Sequence, residues 1–223
     1  MKHSFKQSGV VIIIALTMSG LPVHAGLNSP SGPMPYPRLA TSWWKWALQT
    51  PSSQNPLLDT TGEFCAVNQT GDYWFLAGNF GGADPMVRNC KIPAAKSLFF
   101  PVVNTFYGAF LTDPAKTKSI PYMRNLVGGS GLSDCIISAT LDANPVSIVY
   151  EKSIPFVVRL PDDNVFGLGQ DVVKNMMVSP MVDEGYYVLL DPLAPGAHQI
   201  HFDSLQSGNC PVALDVTYDI IVE

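Results

Sequence analysis

Apolar residues beyond position 70 fall in short runs cut by proline, glycine and aspartate, which is the pattern of strands rather than helices. The runs predict strands at Tyr73–Ala77, Ser97–Val103, Cys135–Leu141, Val146–Tyr150, Phe156–Leu160, Tyr186–Leu190, Ala197–Asp203 and Val212–Val222. Pro101 removes a ladder donor, so its strand is an edge or is bulged there. Asp142-Ala-Asn-Pro145 predicts a hairpin between two strands, and Asp171–Met177 a helical turn. The last two strands alternate. Leu214, Val216, Tyr218, Ile220 and Val222 share one face, and Asp215, Thr217 and Asp219 the other, so one side is core and the other wet. Seven or more such strands with dense turn residues between them predict a β-sandwich.

One earlier segment has helical spacing. Over Thr41–Thr50, Trp43, Trp46 and Ala47 fall on one face, Thr41 or Ser42 can cap the start, and Thr50-Pro51 ends it. Neighbouring residues on a helix are about 100° apart. Trp44 is therefore turned sideways from Trp43 and Trp46.

The first 25 residues are set apart from the fold. Lys2 and Lys6, the apolar run Val10–Leu16 and Val23-His24-Ala25 form a secretory leader with cleavage after Ala25. Residues 26–37 hold four prolines and read as an extended arm, and residues 38–223 as one domain. Without the leader, 11 Lys and Arg remain against 18 Asp and Glu, a net charge of −7. With no basic run, nucleic acid is a poor partner. No later apolar stretch reaches the ~20 residues of a membrane helix. The chain is thus expected in the periplasm or outside the cell.

Cys65, Cys90, Cys135 and Cys210 are an even set in an exported chain and predict two disulfides. Of the three connectivities, Cys65–Cys90 and Cys135–Cys210 are favoured. The first closes a loop-rich region locally. In the second, Cys135 and Cys210 both have core-face parity. No Cys-x-x-Cys spacing supports a metal, and neither metal nor cofactor is expected.

Leu193-Ala-Pro-Gly-Ala-His-Gln-Ile-His-Phe202, followed by Leu214–Val222, resembles the closing hairpin of bacterial Ig-like β-sandwich domains. The Trp-Trp-x-Trp helix, Thr61–Ala66, Tyr73–Gly78, Ile92–Pro101, Asn164–Gly167 and Tyr186–Leu190 resemble blocks of a group of secreted bacterial proteins to which no activity is attached. The resemblance implies a fold and one continuous domain. The fold class expected is all-β, an Ig-like or jelly-roll-type sandwich with a short N-terminal Trp-rich helix and long loops.

Catalytic motifs are thin. Only His198 and His201 lie beyond the leader, and no Gly-x-Ser-x-Gly elbow is present. His198 shares the core face with Ile200 and Phe202 and is expected to be structural, hydrogen-bonded to backbone. His201 lies on the wet face near Asp215 or Asp219. Asp162–Gly167 has part of a calcium loop's oxygens but no closing glutamate. The expected function is non-catalytic binding of a glycan or an envelope protein, with Trp43, Trp44, Trp46 and Trp74 as candidate contacts and Trp44 the most exposed. The same helix can instead plug the end of the sandwich. The alternative is an extracytoplasmic hydrolase with carboxylates in the long loops, at Asp72, Asp84 or Asp162–Asp171.

Overall fold

The computed structural model describes residues 10–14, 34–80, 82–205 and 207–223. The leader cleavage point and most of the expected arm lie outside the described residues. In chain order the elements are β1 (Val10–Ile14), α1 (Tyr36–Gln49), β2 (Tyr73–Phe75), β3 (Gly82–Ile92), β4 (Ser97–Phe110) and α2 (Ile120–Gly128). Then follow β5 (Ile136–Leu141), β6 (Asn144–Pro145), β7 (Val149–Lys152), β8 (Phe156–Arg159), β9 (Met177–Leu190), β10 (Gly196–Leu205) and β11 (Leu214–Val222).

Two mixed sheets form an all-β sandwich with a short N-terminal helix. In the first, β4 and β9 pair antiparallel at the centre. β1 and β2 line the far edge of β4, and β7 and β8 that of β9. The second sheet runs β3-β11-β10-β5-β6, with β3 parallel to β11. The alternation expected for β11 holds, with Leu214, Val216, Tyr218, Ile220 and Val222 all buried.

Adjacent side chains on a strand point to opposite faces. Phe99 packs against Tyr36 of α1 and Tyr187, whereas Phe100 packs against Phe202 of the second sheet. The first sheet is therefore covered on both sides, by α1 on one face and by the second sheet on the other. Farther along that second face, α2 sets Met123 and Val127 over Tyr107 and Val182. Burial on both faces explains why β4 is apolar almost without alternation.

The disulfides join Cys65 to Cys90 and Cys135 to Cys210, with Cα atoms 5.9 and 4.7 Å apart. Two closed bridges suit an oxidising, extracytoplasmic compartment. Among the described residues no helix is long and apolar enough to cross a membrane.

Three local expectations change. α1 begins at Tyr36, not Thr41, because Pro37 sits in the first turn, where its missing N–H costs nothing. Thr41 then lies inside the helix, its hydroxyl donating to the Pro37 carbonyl. The turn expected over Asp171–Met177 narrows to a single 3₁₀ turn, Lys174–Met176. β3 and α2 were not anticipated. β3 carries Pro85 and polar residues on an edge, and α2 is short and ends in glycines.

Candidate functional site

The tryptophans are core, which corrects the expectation that Trp44 offers an open ring. Trp43 and Trp44 are fully buried, and Trp46 and Trp74 are 7% and 6% exposed. A helix with one covered side would have left Trp44 in water, but α1 is covered on two. Trp43 donates its indole N–H to the Leu76 carbonyl just after β2, and Trp46 donates to the Val67 carbonyl in the loop before β2. The sideways direction of Trp44 is the one the first sheet occupies. Its indole meets Phe106 at 4.5 Å and donates to Asp183 Oδ2 at 2.7 Å.

His198 keeps the expected strand parity but lies at the end of β10, with its side chain 17% exposed. Nδ1 is 2.8 Å from Asp142 Oδ2 and Nε2 is 2.9 Å from the Ala194 carbonyl. Both partners are acceptors, so both bonds are made only by the doubly protonated ring. The Asp142 carboxylate and the carbonyl raise the His198 pKa, and the imidazolium together with the Gln199 N–H lowers that of Asp142. When protonated, His198 is a cationic clamp between two turns. The clamp is complete above the ordinary Asp range and below the ordinary His range, and is lost as pH rises through the raised His198 value or falls through the lowered Asp142 value. His198→Ala is expected to cost under about 1 kcal/mol, as for other solvent-screened pairs, read by urea melts at pH 5.5. His201 pairs with Asp215 at 2.9 Å on the wet face. A shallow depression of about 560 Å³ beside His198 also includes Asn89, Lys91, Gln199 and Asp219.

A stronger constellation lies on the first sheet. On the face away from α1, cross-strand pairs run Phe100–Val188, Val103–Tyr186, Thr105–Glu184 and Tyr107–Val182. The second sheet covers the Phe100 end and α2 the Tyr107 end, so Glu184 and Tyr186 lie on the strip between them. β7 adds Tyr150 opposite Tyr186 and Lys152 opposite Glu184 on the same face. The tyrosine rings are 5.2 Å apart, and Tyr150 is 43% exposed. Glu184 is 3% exposed, with Lys152 Nζ 3.2 Å from Oε2. Tyr150 also hydrogen-bonds Glu184, and burial together with that carboxylate holds its hydroxyl protonated, well above the ordinary phenol range. Glu184 Oε2 is buried with the Lys152 ammonium as its partner, and Thr105 Oγ1 is buried without a hydrogen-bond partner. Gly128 at the end of α2 backs onto this carboxylate, which a Cβ there would approach to 3.8 Å.

Behind the strip, Asp183 points to the α1 face. Its Oδ2 accepts from Trp44 and from Tyr187 at 2.6 Å, and Arg124 of α2 donates to its carbonyl and to that of Ser153. Burial pushes the Asp183 carboxyl up to about 7, against the two donors and Arg124, which pull it down. Gly185 allows the close β4–β9 approach here, because a Cβ would meet the Val103 carbonyl at 2.4 Å. None of these residues was singled out from sequence. The available signal was Asp183-Glu184 inside an apolar run, Met181–Leu190.

The loop carboxylates are not brought together. Asp72, Asp84, Asp162, Asp163 and Asp171 are exposed. Asp163 accepts from the Ser53 N–H, and Asn164 closes the Asp162–Gly167 loop on itself through the Leu168 carbonyl and N–H. Among the described residues no three His, Cys, Asp or Glu side chains converge as metal ligands. Comparison with family models, with curated proteins and with solved structures gives no match.

Proposed function

We propose that this chain is an exported, disulfide-stapled β-sandwich that binds a glycan on the Tyr150–Tyr186 strip. The observation that carries the reading is the Tyr150–Tyr186 ring pair, with Tyr150 43% exposed, set directly beside a buried carboxylate and a lysine. Sugars present an apolar ring face to aromatic side chains and hydroxyls to fixed polar groups. Tyr150 supplies the first, and Lys152, held by the buried Glu184 carboxylate, the second.

Binding is favoured over hydrolysis because cleavage of a glycosidic bond ordinarily uses two carboxyl groups flanking it. The strip presents Glu184, whereas Asp183 and Glu151 alternate to the opposite face of their strands. The test is a glycan array probed with the chain from Gly26, followed by titration of any hit. Tyr150→Ala is expected to weaken binding about tenfold, or ~1.4 kcal/mol, with a stability loss of about 1–3 kcal/mol because Glu184 loses a partner, so both proteins are titrated in the absence of denaturant, where each is folded. Unchanged affinity in that variant, or no glycan bound by the parent chain, sinks the reading.

A further inference from the structure

The outer row beside β4 is filled by two separate pieces. β2 covers Ser97–Phe99, and β1 covers Asn104–Gly108 in antiparallel register, with Ile12 opposite Phe106. β1 is Val-Val-Ile-Ile-Ile, five β-branched residues in a row. It lies within the leader read from the sequence. Among the described residues, a chain that begins at Gly26 therefore has β2 beside Ser97–Phe99 and no strand on the outer side of Asn104–Gly108.

That stretch lacks the features which keep sheet edges from pairing. Natural edges are blunted by lysine, proline, inward charge or a bulge. Asn104-Thr-Phe-Tyr-Gly108 has no charge and no proline, and the irregularities of β4 fall on either side of it, at Pro101/Val103 and Gly108/Phe110. Its pairing with β9 is regular from Val103 to Gly108, so the segment is held extended from its other side. An extended, regular, uncharged edge is a template for strand addition, in which main-chain hydrogen bonds give affinity and side-chain fit gives selectivity.

We propose that in the exported chain the Asn104–Gly108 edge of β4 accepts an extended, β-branched apolar segment of a partner polypeptide, added antiparallel as a new edge strand. The occupant's chemistry is that of the run seated there: uncharged, without proline, and rich in valine and isoleucine. This rests on the export reading, because only removal of residues 10–14 opens the edge, but not on the glycan strip, which lies on a face of the sheet rather than along its edge.

The test uses hydrogen exchange of the chain from Gly26, with and without a peptide copying residues 8–16 between solubilising lysines. The amides of Asn104–Gly108 that point away from β9 are expected to exchange freely alone and at least tenfold more slowly with peptide. The same peptide carrying Ile12→Pro is expected to give no protection, because proline removes a ladder donor at the centre. Equal protection by both peptides, or by neither, overturns the proposal. So does protection without peptide that grows with protein concentration, which would assign the edge to a second copy. N-terminal sequencing of the exported chain separates the two readings. A chain that still carries residues 10–14 removes the leader cleavage and this proposal with it, whereas failed protection in a chain beginning after residue 14 removes the edge proposal alone.

Discussion

Trp44→Ala is expected to lower folding free energy by at least about 3–5 kcal/mol, the usual cost of deleting a large buried aromatic side chain. The indole is fully buried between Trp43, with centroids 4.9 Å apart, and Phe106. Its removal leaves a cavity at the point where α1 meets the first sheet. It also takes from Asp183 one of the two donors that Oδ2 accepts, and a buried polar group that loses a partner costs about 1–3 kcal/mol. Trp44→Phe separates the two effects. The ring still fills most of the space but donates nothing, so the loss should fall near the hydrogen-bond figure alone. Urea melts of the three proteins at one pH decide it. If Trp44→Ala melts with the parent, the indole is not anchoring the helix.

Trp44 also shows where sequence reading stops. Spacing within a helix tells which residues share a face, and it separated Trp44 from Trp43 and Trp46 correctly. It does not tell how many faces tertiary structure will cover. The loop between α1 and β2, held to β3 by Cys65–Cys90, and the segment just after β2 take one side of the helix, and the β4–β9 pair takes another. Parity was reliable where a strand has one wet face, as in β11. It was weak for β4, whose two faces are both buried and whose run gives no alternation to count. His198 kept its parity yet missed the core, because a strand end projects past the facing sheet. The Tyr150–Tyr186 strip was invisible for a related reason. Its residues come from three separate strands, β4, β7 and β9, with α2 beside them, and only the register of β7 on β9 sets Lys152 beside Glu184.

Stability is expected to fall as pH rises from about 4 to about 8, with Asp183 as the largest single cause. Its carboxyl is fully buried, and burial holds its folded-state value near 7 against an ordinary 3.8. Well below pH 4, at about pH 2.5, both states carry the proton and this group contributes no pH dependence. Between about 4 and 7 the unfolded chain releases the proton while the folded chain retains it, so folding becomes progressively less favourable. Above about 7 the folded chain must also ionise a buried group, and the full penalty, about 4 kcal/mol from the difference between the two values, is in place. Tyr187 stays neutral throughout, since burial and the neighbouring carboxylate raise its hydroxyl well above the ordinary range. Arg124 opposes the effect and Glu184 reinforces it, which leaves burial to set the direction. Asp183→Asn keeps the shape and an oxygen for Trp44 and Tyr187 but has no proton to lose. Its urea-melt stability should be flatter over pH 4.5–8, and relative to the parent it should gain several kcal/mol across that interval. Parallel curves for the two proteins would mean that Asp183 is ionised in the fold at neutral pH, with the Trp44, Tyr187 and Arg124 interactions outweighing its burial.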